Sequence, residues 1–259
     1  MTNPNGKATD ALVRKNVDRY EAMLMSGRKE YFDEDDLLDV ADYYYNDMSR
    51  KESALQCLGY ALSLHPGCMM ATLMKAEIIF YAGKREEAWA LVNSVGDKTD
   101  QDVLYYKGLF CLEEGRLGEA EEFYRKAYFA QMGDGTDLFC QIISDYLEHN
   151  IVDGLDKWFA MLPDALKNDK GVLETEADYL RTAGKYKEAI AVEEKLIDAD
   201  PYNAVYWNGI ARLYYMDDNF SKAHESVMYA LDIEPENTDS LEIAANIATH
   251  YDEFDVAAD

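Results

Sequence analysis

Apolar residues recur along most of the chain at spacings of three and four residues, in short segments that Gly, Asn or Asp interrupts. This spacing places the apolar side chains on one face of a helix, so it predicts short amphipathic helices joined by tight turns. Runs of alternating apolar and polar residues between paired turn signals, which would indicate strands, are lacking in the sequence. We therefore expect an all-α fold.

The helical pattern repeats every 34 residues towards the end of the sequence. Ala189 and Ala223 are 34 residues apart, and so are Pro201 and Pro235. Two features with the same spacing indicate stacked copies of one unit that contains two helices. The same positions in the preceding unit are occupied by Leu173, Glu176, Ala177, Leu180, Gly184, Ala189, Leu196 and Pro201.

Earlier units can be followed upstream through their small residues, prolines and glycines. They are marked by Val40, Ala41, Tyr44, Ala54, Leu58, Ala61 and Pro66, then by Ala76, Gly83 and Ala88, and then by Gly108, Gly115, Ala120, Tyr124 and Ala127. The segment from about residue 135 to 169 has Gly154 and Trp158 where an alanine and an aromatic residue would lie. We therefore expect this fourth unit to be degenerate.

The repeated pattern resembles the tetratricopeptide repeat, whose 34-residue unit reads W-x2-L-G-x2-Y, then A-x3-F, then P. The segment Tyr31 to Tyr45 is also similar to the opening of bacterial tetratricopeptide proteins of unassigned function. The resemblance implies an α-solenoid of antiparallel helix pairs that form a right-handed superhelix. The match is carried by Trp207, Ile210, Ala211, Tyr214, Ala223, Val227, Ala230 and Pro235.

The repeat register divides the chain into three parts. We expect residues 1–8 to be disordered and residues 9–33 to form an N-terminal capping helix and a linker. Residues 34–259 then form about seven units, of which the last, 238–259, is incomplete. Counting from the sixth unit places Ala257 in a second helix that stops after Asp259, so either the chain is part of a longer protein or its C-terminal surface self-associates. Such a surface would expose Leu241, Ala244 and Ile247.

Small residues in the repeat have a physical reason that does not depend on the family. A large side chain would force two helix axes apart where they approach most closely. We place such contacts within units at Ala41, Ala76, Gly108, Ala177, Ala211 and Ala245, and between units at Ala54, Ala88, Ala120, Ala189 and Ala223. Proline should end the second helix of a unit, and glycine should close the first in the left-handed conformation.

Composition narrows the classes of partner. The 259 residues include 51 acidic and 25 basic side chains, which gives a formal net charge of −26. Such a charge repels nucleic acid and anionic lipid, because both require a cationic surface on the protein. No apolar run reaches the length of a membrane helix and residues 1–10 are polar, so we expect no membrane partner and a cytoplasmic protein.

Residue types that carry chemistry are present, but their spacing predicts no reaction. The four histidines lie in different units, and none has a second histidine or a cysteine at the spacing of metal ligands. The four cysteines, in mostly apolar segments without a C-x-x-C motif, fit buried thiols in a reducing compartment. The acidic run at residues 33–36 lacks the glycine and twelfth-position glutamate of a calcium loop. We expect no enzyme activity, cofactor or metal.

The leading hypothesis is a protein-binding scaffold, because stacked helix pairs form a concave surface lined by their first helices. Acidic and aromatic residues alternate on the first-helix positions of this surface. They predict a groove that binds an extended or helical peptide with basic and apolar residues. The carboxylate clamp of some family members is rejected, since acids occupy most of its positions. The predicted groove contains Leu38, Asp42, Tyr45, Leu73, Glu77, Phe80, Tyr81, Tyr105, Leu109, Leu112, Asp178, Asn208, Arg212 and Tyr215.

Two other functions are weighed against the scaffold. The chain could be the sensor or docking region of a larger enzyme or regulator whose catalytic part lies outside it, which the sequence of the intact gene product would decide. A nucleic-acid-reading helical repeat would require a basic groove, and the net charge of −26 argues against it.

Overall fold

The computed structural model describes residues 4–47, 49–130 and 135–258, with side chains for 11–46, 49–130 and 135–249. All regular secondary structure in these residues is helical. No strand occurs within these residues, so the predicted all-α fold is confirmed. The chain divides into two compact units, residues 1–131 and 132–259. Each unit consists of helix pairs connected by short turns.

The first unit contains a long N-terminal helix followed by three helix pairs. The second helix continues into one π-helical turn, Tyr43–Asp47, before the chain reverses. Helix α2 pairs with α3, α4 with α5, and α6 with α7, and the first helices α4 and α6 also contact each other. The helices are α1 (Pro4–Ser26), α2 (Glu34–Asp42), α3 (Lys51–Leu64), α4 (Met69–Tyr81), α5 (Arg85–Ser94), α6 (Gln101–Glu113) and α7 (Leu117–Ala130).

The second unit has the same plan but begins with an irregular pair. Its second helix, α9, has six residues, and Phe159 on it stacks on Tyr179 with the ring centroids 5.2 Å apart. Regular pairing resumes between α10 and α11 and between α12 and α13, and α14 packs on both α12 and α13. The helices are α8 (Thr136–Glu148), α9 (Asp156–Met161), α10 (Lys170–Thr182), α11 (Tyr186–Ala199), α12 (Ala204–Met216), α13 (Phe220–Ile233) and α14 (Thr238–Ala258).

Several helix N-termini are capped by a side chain. Asp100, Asp169 and Asn203 each accept a hydrogen bond from a backbone N–H in the first turn of α6, α10 and α12. A Cys68 Sγ occupies the same position before α4 and accepts from the backbone N–H of Ala71 at 3.4 Å. These caps satisfy donors that the helix itself cannot pair.

The helix C-termini follow two rules. First helices close with a residue in the left-handed region, as at Gly83 and Gly184, where φ is 84° and 71°. The backbone N–H of the following residue then reaches back five residues, as Lys84 does to the Ile79 carbonyl at 3.1 Å. Second helices end just before a proline: α3, α11 and α13 stop two residues before Pro66, Pro201 and Pro235.

The small residues lie at the helix contacts, as their spacing predicts. Nearly all of them are buried, and Ala54, Ala88, Ala120, Ala189 and Ala223 on the second helices have no exposed surface. Gly108 is the most crowded position, because a Cβ there would lie 2.5 Å from Cδ1 of Tyr124. Close approach of α6 to α7 therefore requires glycine at this position.

The two ends of the chain differ from the expected pattern. α1 begins at Pro4, earlier than the predicted capping helix, and its Tyr20 packs edge-on against Phe32 with ring centroids 6.1 Å apart. At the other end α14 is one continuous helix, without the turn expected before Ala257. Ala245 is exposed, because no second helix packs on it within the described residues, whereas Ile247 is fully buried.

Candidate functional site

The predicted groove positions of the first unit separate into surface and core. Asp42 and Tyr81 are exposed, and Leu38, Tyr45, Glu77 and Tyr105 are partly exposed. The other four face the packed interior, so their assignment to a ligand-binding surface is corrected. They are buried because adjacent first helices pack on each other, as the Phe80 and Phe110 rings do with centroids 4.2 Å apart. These four are Leu73, Phe80, Leu109 and Leu112.

Acidic side chains on three successive first helices act electrostatically on Tyr106. Burial raises the pKa of the Tyr106 hydroxyl, and the charges of Glu77, Asp102 and Asp42 raise the pKa further. Glu77 also accepts a hydrogen bond from this hydroxyl and raises the pKa of the partly buried Tyr45. The first unit therefore holds a local concentration of negative charge beside tyrosine rings. Sequence reasoning found Asp42 and Glu77 but missed Asp102 and Tyr106.

A pocket of about 560 Å³ lies on the second unit, between the first helices α10, α12 and α14. Asp178, Asn208 and Arg212, predicted as groove residues, line it, whereas Tyr215 lies apart and packs edge-on against Phe220. Sequence reasoning missed the remaining lining residues. These are Glu174, Ala177, Arg181, Glu193, Leu196, Val205, Tyr206, Gly209, Leu213 and Asp239.

Polar side chains along the pocket are joined by hydrogen bonds across helices. Arg212 of α12 pairs with Asp239 of α14, and the buried Asn208 amide oxygen accepts from the Ser240 hydroxyl at 2.9 Å. The Tyr206 hydroxyl donates to Glu174 of α10 at 2.6 Å. These contacts fix the three first helices relative to one another and hold the pocket open.

Glu193, from the second helix α11, is the most perturbed group of the pocket. Burial raises the pKa of its carboxyl to about 7, and the charges of Asp178 and Glu174 add to that rise while Arg181 opposes it. Gly209 makes room for this carboxyl, because a Cβ there would overlap its Oε1 and lie 2.9 Å from its Cδ. Its Oε2 is buried and accepts no hydrogen bond from any residue that the structure describes.

Several cysteine and histidine side chains elsewhere in the described residues are engaged in the fold. No set of three or more His, Cys, Asp or Glu side chains among them is placed to hold a metal ion. Burial raises the pKa of the Cys57 thiol to about 12 and that of Cys111 to about 11, which suppresses the reactive thiolate. His65 Nε2 is hydrogen-bonded to the Phe32 carbonyl at 2.8 Å. Across the part of the chain with described coordinates, no helix has the length and apolar character needed to cross a membrane.

One segment of the chain matches a known family model. Residues 80–135, which include helices α5, α6 and α7, match the family model described as tetratricopeptide repeat. No curated protein sequence matches the chain.

Solved structures share the fold at low sequence identity. Yeast Tom70 superposes with a TM-score of 0.66 at 15% identity, over 97% of this chain and 54% of that protein. PilW, a type IV pilus biogenesis factor, gives 0.59 at 15% identity, over 81% and 97% of the two chains. A tetratricopeptide repeat protein from Parabacteroides merdae gives 0.55 at 16% identity, over 85% and 87%. Residues 80–135 therefore match the tetratricopeptide repeat model, and over most of its length the chain has the fold of a tetratricopeptide repeat protein.

Proposed function

We propose that this protein is a non-catalytic scaffold that binds a protein segment containing basic and apolar residues. Tetratricopeptide repeat domains bind proteins or peptides, and such proteins are generally scaffolds without catalytic activity. The fold alone does not specify the ligand, so its chemistry has to come from the exposed side chains of the first helices.

One observation carries the proposed ligand chemistry: carboxylates and tyrosines lie side by side on the first helices of the first unit. Asp42, Glu77 and Asp102 act together on Tyr106, so their charges are close enough to attract one cationic segment. Tyrosine rings offer large, rigid contact areas to the apolar side chains of a ligand. Tyr81 is 42% exposed, and its hydroxyl donates to Glu113 at 2.7 Å, which orients the ring.

The proposal is tested by binding to peptides in solution. A fluorescent library of peptides that combine Lys or Arg with aromatic residues is titrated against the parent and a Glu77→Lys, Tyr105→Ala variant. We expect the variant to bind at least about tenfold more weakly, because it reverses one groove charge and removes one ring. Circular dichroism and thermal unfolding establish that the variant is folded.

A matched control makes one Glu→Lys change and one aromatic-to-Ala change outside the first helices. Glu87 on α5 and Phe129 on α7 are both exposed, and Phe129 has 70% of its surface in solvent. The Glu87→Lys, Phe129→Ala variant should bind within about twofold of the parent. Equal affinities for the parent and the Glu77→Lys, Tyr105→Ala variant would remove this surface from consideration. Affinity capture with the whole chain, followed by mass spectrometry, then identifies natural partners.

Self-association through the C-terminal unit stays a prediction. Leu241 is 49% exposed and Ala244 is partly exposed, so both could contribute to a contact between two copies. Ile247 is buried and cannot contribute.

A further inference from the structure

The pocket of the second unit contains more acidic groups than its cations can neutralise. Its lining includes Glu174, Asp178, Glu193 and Asp239 but two cations, Arg181 and Arg212. A positively charged ligand would therefore be favoured over a neutral or anionic one.

The contacts among the described residues of the pocket leave one carboxyl oxygen without a hydrogen bond. Arg181 pairs with Asp178 at 2.8 Å, and Arg212 pairs with Asp239. Glu174 accepts from the Tyr206 hydroxyl and lies 3.7 Å from the Lys170 ammonium. Glu193 remains, with a buried Oε2 that accepts no hydrogen bond. A buried acceptor without a donor is costly, so a ligand that supplies one is stabilised.

The apolar part of the lining suits a lysine side chain. Ala177, Leu196 and Leu213 line the same pocket as Glu193. Lysine combines a stem of four methylene groups, which packs against apolar surface, with a compact ammonium group that donates up to three hydrogen bonds. Arginine presents a planar fork that pairs best with two free carboxylate oxygens in one plane.

We propose that Glu193 binds the ammonium group of a lysine side chain that a bound protein segment inserts into this pocket. The inference rests on the proposed scaffold function, since the lysine belongs to the peptide held by the first helices. Gly209 is part of the same site, because the absence of a Cβ leaves the space in which the carboxyl lies.

The affinity for a lysine peptide should depend on pH. The pKa of Glu193 is about 7, so its carboxyl is mostly neutral at pH 6 and mostly ionised at pH 8. The charged groups around it are Glu174, Asp178 and Arg181 from α10, Arg212 from α12 and Asp239 from α14. The ionised carboxyl attracts the ammonium group, so affinity for a lysine peptide should rise about tenfold from pH 6 to pH 8.

The experiment compares two capped heptapeptides, Ala-Leu-Tyr-Lys-Tyr-Leu-Ala and the same peptide with norleucine in place of lysine. Their affinities for the whole chain are measured by calorimetry at pH 6 and pH 8. The proteins are the parent, Glu193→Gln and Glu194→Gln. Glu194 is the matched control, because it is exposed on the same helix and does not line this pocket.

The proposal expects the parent and Glu194→Gln to prefer the lysine peptide by at least about tenfold at pH 8 and to lose most of that preference at pH 6. Glu193→Gln should show little preference at either pH. NMR titration of the unaltered protein adds a direct readout: the lysine peptide should lower the pKa of the Glu193 carboxyl, and the norleucine peptide should leave it unchanged.

Three results would overturn the inference: an unchanged lysine preference in Glu193→Gln, no binding of the lysine peptide to the parent, or no movement of the Glu193 pKa with the lysine peptide. A third peptide has arginine in place of lysine. If the parent binds it as tightly as the lysine peptide, Glu193 stays the site but the assignment of lysine is overturned. The scaffold proposal is judged separately, by the first-unit variants and by affinity capture, so it can survive any of these results.

Discussion

At the scale of single residues, two positions require glycine because a Cβ would not fit there. A Cβ on Gly108 would collide with the Tyr124 ring, and a Cβ on Gly209 would collide with the Glu193 carboxyl. The first glycine lets two helices of one pair approach, and the second lets a carboxyl from one helix lie against the next helix. Residues of the same type thus serve packing in one unit and a candidate binding site in the other.

Replacing Gly108 with alanine should destabilise the protein. The added methyl group would lie 2.5 Å from Tyr124 Cδ1 in a fully packed contact, so the ring or the helix has to move. We expect the free energy of unfolding to fall by about 1–3 kcal/mol, measured by urea denaturation.

Gly59 provides the control for this substitution. It is exposed within α3, and a Cβ there would have nothing within 4 Å. Gly59→Ala should therefore raise stability by about 0.5–1 kcal/mol through helix propensity alone. Equal effects of the two substitutions would show that α6 and α7 do not approach as closely as described.

Among individual residues, the small and apolar positions were accessible to sequence reasoning and Glu193 was not. A buried alanine repeats at a fixed spacing, so a pattern of many units reveals it. Glu193 lies on a second helix, where an acidic residue usually indicates a solvated face, and its burial depends on Gly209, sixteen residues away. Placing that carboxyl required knowledge of how α11 packs against α12.

At the scale of the helices, the turns after the first helices share one geometry but not one residue. Gly83, Gly115 and Gly184 adopt positive φ at these turns, and so do Asn150 at 55° and Asp218 at 57°. Glycine adopts this conformation without strain, whereas the Cβ of aspartate makes it energetically unfavourable. The turn after α12 is therefore less stable than it could be.

Asp218→Gly should relieve that strain. The turn keeps its backbone hydrogen bond from Asn219 N–H to the Tyr214 carbonyl at 2.8 Å, so no contact is lost. Asp218 is exposed, and we expect a gain of about 0.5–1 kcal/mol in the free energy of unfolding. The reverse change, Gly184→Asp in the equivalent turn after α10, should cost a similar amount. Thermal unfolding of the two variants measures both, and shifts in the same direction would contradict the shared geometry.

The helices also show why the groove was predicted incompletely. Residues of a first helix that point away from their partner helix face either solvent or the next first helix. Sequence periodicity gives the same spacing for both, so Phe80 and Leu109 could not be distinguished from Asp42 and Tyr81. The structure separates them through burial. The short α9 was also hard to place, because the fourth pair lacks the regular small residues.

At the scale of the whole chain, negative charge dominates. The 51 acidic side chains exceed the 25 basic ones, which leaves a formal charge of −26 on 259 residues. Most ion pairs among the described residues are exposed and join residues three or four apart, as Arg125 and Glu121 do on α7. Exposed pairs of this kind contribute little to stability, so they do not offset the repulsion among the remaining acids.

Salt should therefore stabilise this protein. At about 10 mM ionic strength the screening length is about 30 Å, so acids on neighbouring helices repel one another, whereas at about 0.1 M it falls to about 10 Å. The unfolded chain spaces the same charges further apart, so screening relieves the folded state more. We expect the free energy of unfolding to rise by on the order of 1 kcal/mol between these two concentrations of sodium chloride.

Urea is the denaturant for this measurement, because it carries no charge and adds no screening of its own. Sucrose at matched osmolality is the control and should not reproduce the steep rise at low salt. Stability that stays constant or falls with salt would mean that attraction within ion pairs outweighs the net repulsion. The same screening should weaken binding of a basic peptide, so stability and affinity are expected to move in opposite directions as salt increases.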